Sequence, residues 1–565
     1  MNLSSSKKGV QLLVSHLKYL EVKHVVISPG SRNAPLIVAF NQHPYFETIV
    51  IPDERSAAFH ALGMAQQLEK PVILICTSGS AVLNYYPAVA EAFYQNVPLM
   101  VISADRPIDW IDQGDGQTIR QDDVLKNHIR YYTQLRENHH NDTDSWYNSR
   151  EIAAAYHACN GKIKGPVHIN FPFTEPLYGK EPINEAIAEL LPSVIVDGRQ
   201  HIPAEEEVVL KSIWKSAEKV MVLVGQHLPN PRLLAALKNL NNLPNIVIMA
   251  ENTSNMTDRD FVQCIDRTLN GISEEDKADF APELLITIGG AVVSKKIKQF
   301  FRTYQPKHHW KIGNEFPYMD TYQALTRSLL VEEADFIEVL EKYPAETNSN
   351  FGAKWKQMDF IQEEKAQEYL LQLETFCDLK VFELLLDCVP EDSHLHLANS
   401  SVIRYSQLFN PVRSLNYWCN RGTSGIDGSI STAAGASWIT QEKWHTLIVG
   451  DMSFFYDSNA FWSTLKLANL RVFLINNGGG DIFNIIPGPD TTDELKENFV
   501  YRHQFKAEGI CVSYGIRYFK AGSLEEIEQQ MEEFYTYDPQ QGACVMEIFT
   551  NNVENSRELK KFLKI

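Results

Sequence analysis

The stretch from Gly450 to Asn477, GDMSFFYDSNAFWSTLKLANLRVFLINN, restricts this chain more than any other. It takes over from the apolar run HTLIV, which reads as a buried parallel strand ending at Gly450-Asp451. A helical pattern from about Asp457 to Ala468 then leads to a second apolar run, RVFLI, ending at Asn476-Asn477. Strand, helix and strand in this order make a right-handed crossover whose strands lie side by side or nearly so. Asp451 and Asn477 are therefore expected together at the carboxyl ends of strands, where open α/β sheets bind ligands. A carboxylate, an amide oxygen and a backbone carbonyl are the hard oxygen donors that Mg²⁺ or Ca²⁺ takes. Gly478-Gly479-Gly480 lets the backbone turn sharply enough to present such a carbonyl. Taken alone, GD and NNGG would serve equally well as ordinary turns after strands.

The same alternation runs through the rest of the chain. A helix over 5–20 precedes the strand KHVVIS (23–28), followed by a helix near 33–41 and the strand TIVI (48–51). Next come a helix over 54–68, the strand VILICT (72–77), a helix over 80–94 and the strand LMVISA (99–104). GPVHINFP (165–172) is expected to complete this first sheet, since strands spaced by helices imply a parallel, doubly wound arrangement. A proline-rich stretch without periodicity from Phe173 reads as a linker. The pattern restarts with KVMVLVG, NIVIMA and ELLITIGG, and again, after YPAETNSNFG (343–352), with HLHLANS, SLNYWCN, HTLIVGD, RVFLINN and ACVMEIF. The expected fold is α/β, with three doubly wound parallel-sheet domains over 1–185, 200–345 and 353–565. At 565 residues the chain is too long for a single core.

A net charge of −19 argues against nucleic acid as a partner, which needs a basic face. It also makes single arginines informative, because a site for anions must be basic locally. The 8 cysteines form no CxxC pair and no signal peptide is apparent, so reduced thiols in a cytoplasmic protein are expected. Apolar runs of about 5–8 residues fall short of a membrane span.

Asp451, followed 26 positions later by Asn477, resembles the diphosphate-binding motif of thiamine-diphosphate enzymes. The resemblance implies thiamine diphosphate held through a metal, Mg²⁺ or Mn²⁺, by Asp451, Asn477 and Gly479, with Ser453 beside the cofactor. It also implies three domains: aminopyrimidine-binding, central and diphosphate-binding. A carboxylate after an early strand must then hydrogen-bond the aminopyrimidine ring, and PDERSAAFHALGMA offers Glu54. Read without that motif, Glu54 is an acidic first-turn residue of a helix capped by Asp53.

Five further segments, SPGSRNAPL, DERSAAFHALG, TSGSAVLNYYPAVAEA, SADRP and NRGTSGIDGSISTAAG, resemble one branch in particular. That branch is the 2-succinyl-5-enolpyruvyl-6-hydroxy-3-cyclohexene-1-carboxylate synthase (MenD) family of menaquinone biosynthesis. The match is strong in the first and last domains and weak in the middle one. It implies decarboxylation of 2-oxoglutarate and addition of the four-carbon fragment to isochorismate. Both substrates carry two carboxylates, which arginine binds in bidentate fashion. The matching positions are Ser31, Arg32, Arg106, Ser400, Arg404 and Arg421, with Lys295 from a weaker match, GGAVVSKK. Gln117 is a neutral hydrogen-bonding group facing the intermediate, and Ile426 would wedge between the cofactor's rings, although core packing explains it equally. Ile482 and Phe483 match an apolar wall beside the substrate, while Asp481 departs from the uncharged residue usual there. A homodimer or dimer of dimers with sites at the subunit interface is implied as well.

Overall fold

Strands covered on both faces by helices are apolar throughout, and such runs pair in parallel because each return crosses over through a helix. The structure, a computed structural model of the 565-residue chain, describes every residue except 1, 2, 185, 186, 188, 189, 197, 199, 345, 346, 481, 486, 487, 489, 490, 493 and 495–497. Three parallel sheets follow one another. The first runs Glu47–Val50, His24–Ile27, Val72–Cys76, Leu99–Asp105, Val167–Pro172, Tyr131–Gln134. The middle one runs Ile246–Ala250, Val220–Val224, Leu284–Ile288, His308–Ile312, Arg327–Leu329. The last runs Asn416–Trp418, His394–Leu397, His445–Gly450, Leu470–Asn476, Cys544–Phe549, Arg517–Ala521.

Counted along the chain within each sheet, these orders are 2-1-3-4-6-5, 2-1-3-4-5 and 2-1-3-4-6-5. The first and last sheets thus share one topology, although no repeat is visible in the residues. In every sheet the winding reverses between strands 1 and 3, which is where doubly wound folds leave a crevice at the carboxyl ends. In the last sheet that point lies between Leu397 and Gly450, beside Asp451. The first sheet's two faces carry separate cores, with Val25 and Ile73 on one side and Val26 and Leu74 on the other.

Several expectations need correction. Val167–Pro172 does not complete the first sheet, because Tyr131–Gln134 pairs beyond it. That edge strand, YYTQ, faces partly outward and so lacks an apolar run. His308–Ile312 was hidden by its own polarity: His309 and Lys311 are buried on one side of the strand, Trp310 and Ile312 on the other. The stretch after Phe173 contains Lys180–Pro182, paired antiparallel with Leu3–Ser5. The helix expected over 80–94 is two, Ser80–Asn84 and Tyr86–Gln95, with Pro87 starting the second.

The crossover helix is also displaced. It spans Asp451–Tyr456, followed by a 3₁₀ turn at Ser458–Phe461 and a coil to the next strand. Asp457, expected to begin a helix, is instead buried, accepting from Ser431 N and Ser431 Oγ, both at 2.7 Å. The apolar spacing of Ala460, Phe461 and Leu467 anchors the coil to the core and does not mark a helix face.

The Glu54–Leu68 helix of the first domain packs on the Ser429–Ile439 helix of the last within one chain. Contact is close enough that a Cβ on Gly63 would meet Thr432 O at 1.9 Å, and one on Gly435 would meet His60 O at 1.9 Å. Among the described residues, no helix is long and apolar enough to cross a membrane.

Candidate active site

At the reversal point of the last sheet, a cavity of about 220 Å³ opens between Asp451, Asn477 and Gly479 on one side and Ser400 and Ile426 on the other. Asp451 is buried directly after the strand His445–Gly450, at the start of its helix. Its Oδ2 accepts from Gly478 N at 2.9 Å and Gly479 N at 3.0 Å, and its Oδ1 accepts from Met452 N at 2.6 Å. Burial pushes this carboxyl group above the usual range, while His503, with Nε2 3.3 Å from Oδ2, and the three backbone donors pull it back.

Asn477 Nδ2 donates to Asp378 Oδ2 at 3.2 Å. Asn477 Oδ1 is buried and has no partner among the described residues. A buried acceptor left unpaired costs about 1–3 kcal/mol, so its retention points to something that binds there. Gly479 has φ +152°, and a Cβ on it would stand 2.7 Å from Val500 O, so only glycine fits this turn. Ser453 Oγ donates to Ile426 O at 2.7 Å, and Ile426 faces the cavity and not the core. Ser400 holds φ +74°, a strained value for a residue with a side chain and one that clusters at functional sites. Ile482 and Phe483 line the cavity; Asp481 lies outside the described residues.

The lining includes two carboxylates, Asp378 and Asp451, and among the described residues no lysine, arginine or histidine. A polyanion could enter such a cavity only together with a cation. The oxygen set of Asp451 and Asn477, one atom of it unpaired, fits a divalent metal.

Positive charge is gathered separately. Arg404 Nη1 donates to Ser400 O at 2.5 Å and Arg421 Nη1 to Asn399 Oδ1 at 2.9 Å, both neutral acceptors. Burial, and then Arg421, push the Arg404 guanidinium down, and Asp266 partly offsets this. Lys295 is exposed at the start of the Lys295–Thr303 helix, whereas Lys298, one turn on, is half-buried and within electrostatic reach of Arg421.

The remaining expected residues sit on the first domain, outside this cavity. Glu54 begins its helix, its Oε2 3.5 Å from Asn84 Nδ2, with Asp53 capping through Ser56 N. Ser31 and Arg32 follow the first strand; Arg32 donates to Phe173 O at 3.0 Å and pairs with Glu175 at 3.3 Å. Arg106 donates to Gly116 O at 3.0 Å and pairs with Asp115 at 3.3 Å, bracing the loop that carries Gln117. The expected set is thus split into a last-domain cavity, a cationic group beside it and a first-domain group.

Residues 7–126 match the family described as thiamine pyrophosphate enzyme, N-terminal TPP binding domain. The 2-succinyl-5-enolpyruvyl-6-hydroxy-3-cyclohexene-1-carboxylate synthase of Flavobacterium johnsoniae is 42% identical over 550 residues, covering 96% of each chain. The chain belongs to that synthase family. The synthase of Christiangramia forsetii is 41% identical over 561 residues, again with 96% of each chain covered. Benzoylformate decarboxylase from Polynucleobacter necessarius superposes with a TM-score of 0.72 over 97% of this chain and 99% of its own, at 15% identity. That likeness establishes a shared fold over nearly the whole chain and nothing about substrate. Family membership makes this chain a thiamine-diphosphate enzyme.

Three site residues escaped the sequence reading. Asp378 and His503 contact Asn477 and Asp451 from 99 and 52 positions away, by subtraction of their numbers (477 − 378 and 503 − 451), and no motif surrounds either. Lys298 was visible as the third lysine of SKKIK, one helical turn from Lys295.

Proposed function

We propose that this chain decarboxylates 2-oxoglutarate and adds the resulting four-carbon fragment to isochorismate, giving 2-succinyl-5-enolpyruvyl-6-hydroxy-3-cyclohexene-1-carboxylate for menaquinone biosynthesis. The observation that carries this reading is the cavity whose Asn477 Oδ1 is unpaired and whose lining is without a cation among the described residues, set beside two arginines that donate to neutral acceptors. The cavity suits a diphosphate clamped by Mg²⁺ or Mn²⁺ on Asp451, Asn477 and the Gly479 carbonyl. Arg404 and Arg421 keep their charge for a substrate carboxylate, with Lys295, Ser400, Arg32, Ser31 and Arg106 completing the pocket. Thiamine diphosphate, when bound, supplies the carbanion chemistry that protein side chains lack.

Glu54 would hold the aminopyrimidine by a hydrogen bond, Ile426 would support the cofactor from the cavity wall, and Gln117 would hydrogen-bond the reacting group. Ile482 and Phe483 keep water from it. The chain divides for these tasks near 1–185, 200–345 and 353–565. Because Glu54 and Gln117 lie outside the cavity of their own chain, we place each complete site between two subunits of a homodimer, or of a dimer of dimers. The 8 cysteines, all free, suit the cytoplasm.

The test is purified protein with thiamine diphosphate, Mg²⁺, 2-oxoglutarate and isochorismate, with the adduct followed by mass. Formation of the adduct is expected. Turnover of pyruvate in preference to 2-oxoglutarate would instead indicate a monocarboxylate decarboxylase.

A further inference from the structure

Glu91 lies on the Tyr86–Gln95 helix of the first domain and is 1% exposed. Its carboxyl group reaches into the last domain. Oε1 accepts from Gly422 N at 2.6 Å, and Oε2 accepts from Thr423 N at 2.6 Å and Thr423 Oγ1 at 2.5 Å. Gln95 Nε2 donates to Oε1 as well. A single side chain therefore ties down the two consecutive peptide N–H groups that follow Arg421.

The segment just before Arg421 is held from another direction. Gln226 Nε2 of the middle domain donates to Cys419 O at 2.7 Å, and Asn255 exchanges bonds with Tyr417, donating to its O at 3.1 Å and accepting from its N at 2.7 Å. Residues 417–423 are thus gripped by all three domains, with Arg421 inside the grip. Among the described residues its guanidinium donates to the Asn399 amide oxygen alone, and its buried Nε has no partner. So the Arg421 side chain is lightly held while its backbone is tightly held. The peptide planes that Glu91 fixes set where the Arg421 side chain leaves the backbone.

We propose that Glu91 is a positioning residue for Arg421, setting the guanidinium to receive a substrate carboxylate. This rests on the reading of Arg421 as a substrate-binding residue. A buried carboxyl group that served only to join two domains could accept from any donors on the facing surface. Here the donors accepted from the last domain all belong to the two residues after Arg421. Bidentate recognition of a carboxylate tolerates little displacement, and a shift of about 1 Å can cost on the order of 10²-fold.

The experiment is a double-mutant cycle on the full-length holoenzyme, using Glu91→Gln, Arg421→Ala and the double variant. KM for 2-oxoglutarate and isochorismate, thiamine-diphosphate affinity and melting temperature are measured for each. Glu91→Gln puts an amide N–H against backbone N–H groups, which should raise KM for one substrate about 10–100-fold with cofactor affinity unchanged. In the Arg421→Ala background the same change should raise that KM no further, because the group it positions is gone. Thr423→Val, which removes one bond of the three, should move KM in the same direction but less, and its cycle with Arg421→Ala decides the matter if Glu91→Gln does not fold. An equal KM penalty in both backgrounds, or a lower melting temperature with both KM values unchanged, overturns the proposal. If Arg421→Ala itself leaves both KM values unchanged, the substrate role of Arg421 fails, and the positioning role fails with it.

Discussion

Asn477 Nδ2 donates to Asp378 Oδ2 at 3.2 Å, and this bond leaves Asn477 Oδ1 buried without a partner among the described residues. The amide could otherwise turn either way, and only this orientation offers an oxygen to a cation. Asp451→Ala should therefore weaken Mn²⁺ binding in the presence of thiamine diphosphate by at least about 10–100-fold, and Asp378→Ala should weaken it in the same direction by less. Mn²⁺ titration followed by electron paramagnetic resonance reads this directly. Activity of Asp451→Ala should return in part at high cofactor and Mg²⁺, since affinity and not chemistry is damaged. Unchanged Mn²⁺ affinity in Asp451→Ala would rule out its ligand role.

Glu54→Gln should retain thiamine diphosphate while losing about 10²–10⁴-fold in turnover. Asp53 caps the Glu54–Leu68 helix, so the substitution leaves the cap in place. Cofactor affinity and kcat are measured side by side. Near wild-type kcat would remove Glu54 from the chemistry.

Arg404→Ala and Arg421→Ala should each raise KM for a dicarboxylate substrate. Truncating one side of a desolvated charge pair costs about 2–5 kcal/mol. Saturation curves for 2-oxoglutarate and isochorismate decide the point, and the assignment falls if both curves are unmoved in both variants.

Much of this site was legible because the last domain's ligands occur at sequence positions set by the crossover itself. Asp451 follows one strand and Asn477 follows its neighbour, so one unit of secondary structure brings them together. The 2-1-3-4 winding was not legible, since strand order depends on contacts between distant segments. Edge strands such as Tyr131–Gln134 and Arg517–Ala521 were missed for a local reason: half-exposed strands carry polar residues that hide their pattern. Asp378, His503 and Glu91 were missed because each acts on a partner from a remote segment, and a lone acidic residue or histidine reads as a solvated charge. The crossover helix was misplaced because Asp457, chosen as its start, is used as a buried acceptor.

Acid should destabilise the last domain through a histidine stack. His394 lies parallel to His445 with ring centroids 4.5 Å apart, and His396 Nε2 meets His445 Nδ1 at 2.9 Å. Burial pushes His394 down to about 4 and His396 to about 3, and it lowers His445 strongly. The unfolded chain takes up protons near pH 6.5 while the folded one does not, so stability is present above that pH and is lost as pH falls below it. One such group contributes about 1.4 kcal/mol per pH unit. His445→Gln keeps hydrogen bonding to His396 and Thr440 but cannot titrate, so its melting temperature should fall less between pH 6.5 and 5 than that of the unsubstituted protein. Titrating groups outside the stack cancel in this comparison, and equal slopes would rule out the stack as the origin of the acid sensitivity.

We propose that Glu54 of one chain and Asp451 of another complete a single site, and a mixing experiment tests this. Glu54→Gln and Asp451→Ala subunits are unfolded together, refolded in equal amounts and assayed, with mixed dimers confirmed by mass. If sites form between chains, a mixed dimer has one doubly damaged site and one intact site. Random pairing makes about half of the dimers mixed, so activity should recover to roughly a quarter of the unsubstituted enzyme under two-fold symmetry. No recovery, with mixed dimers present, would mean that each site is built within one chain.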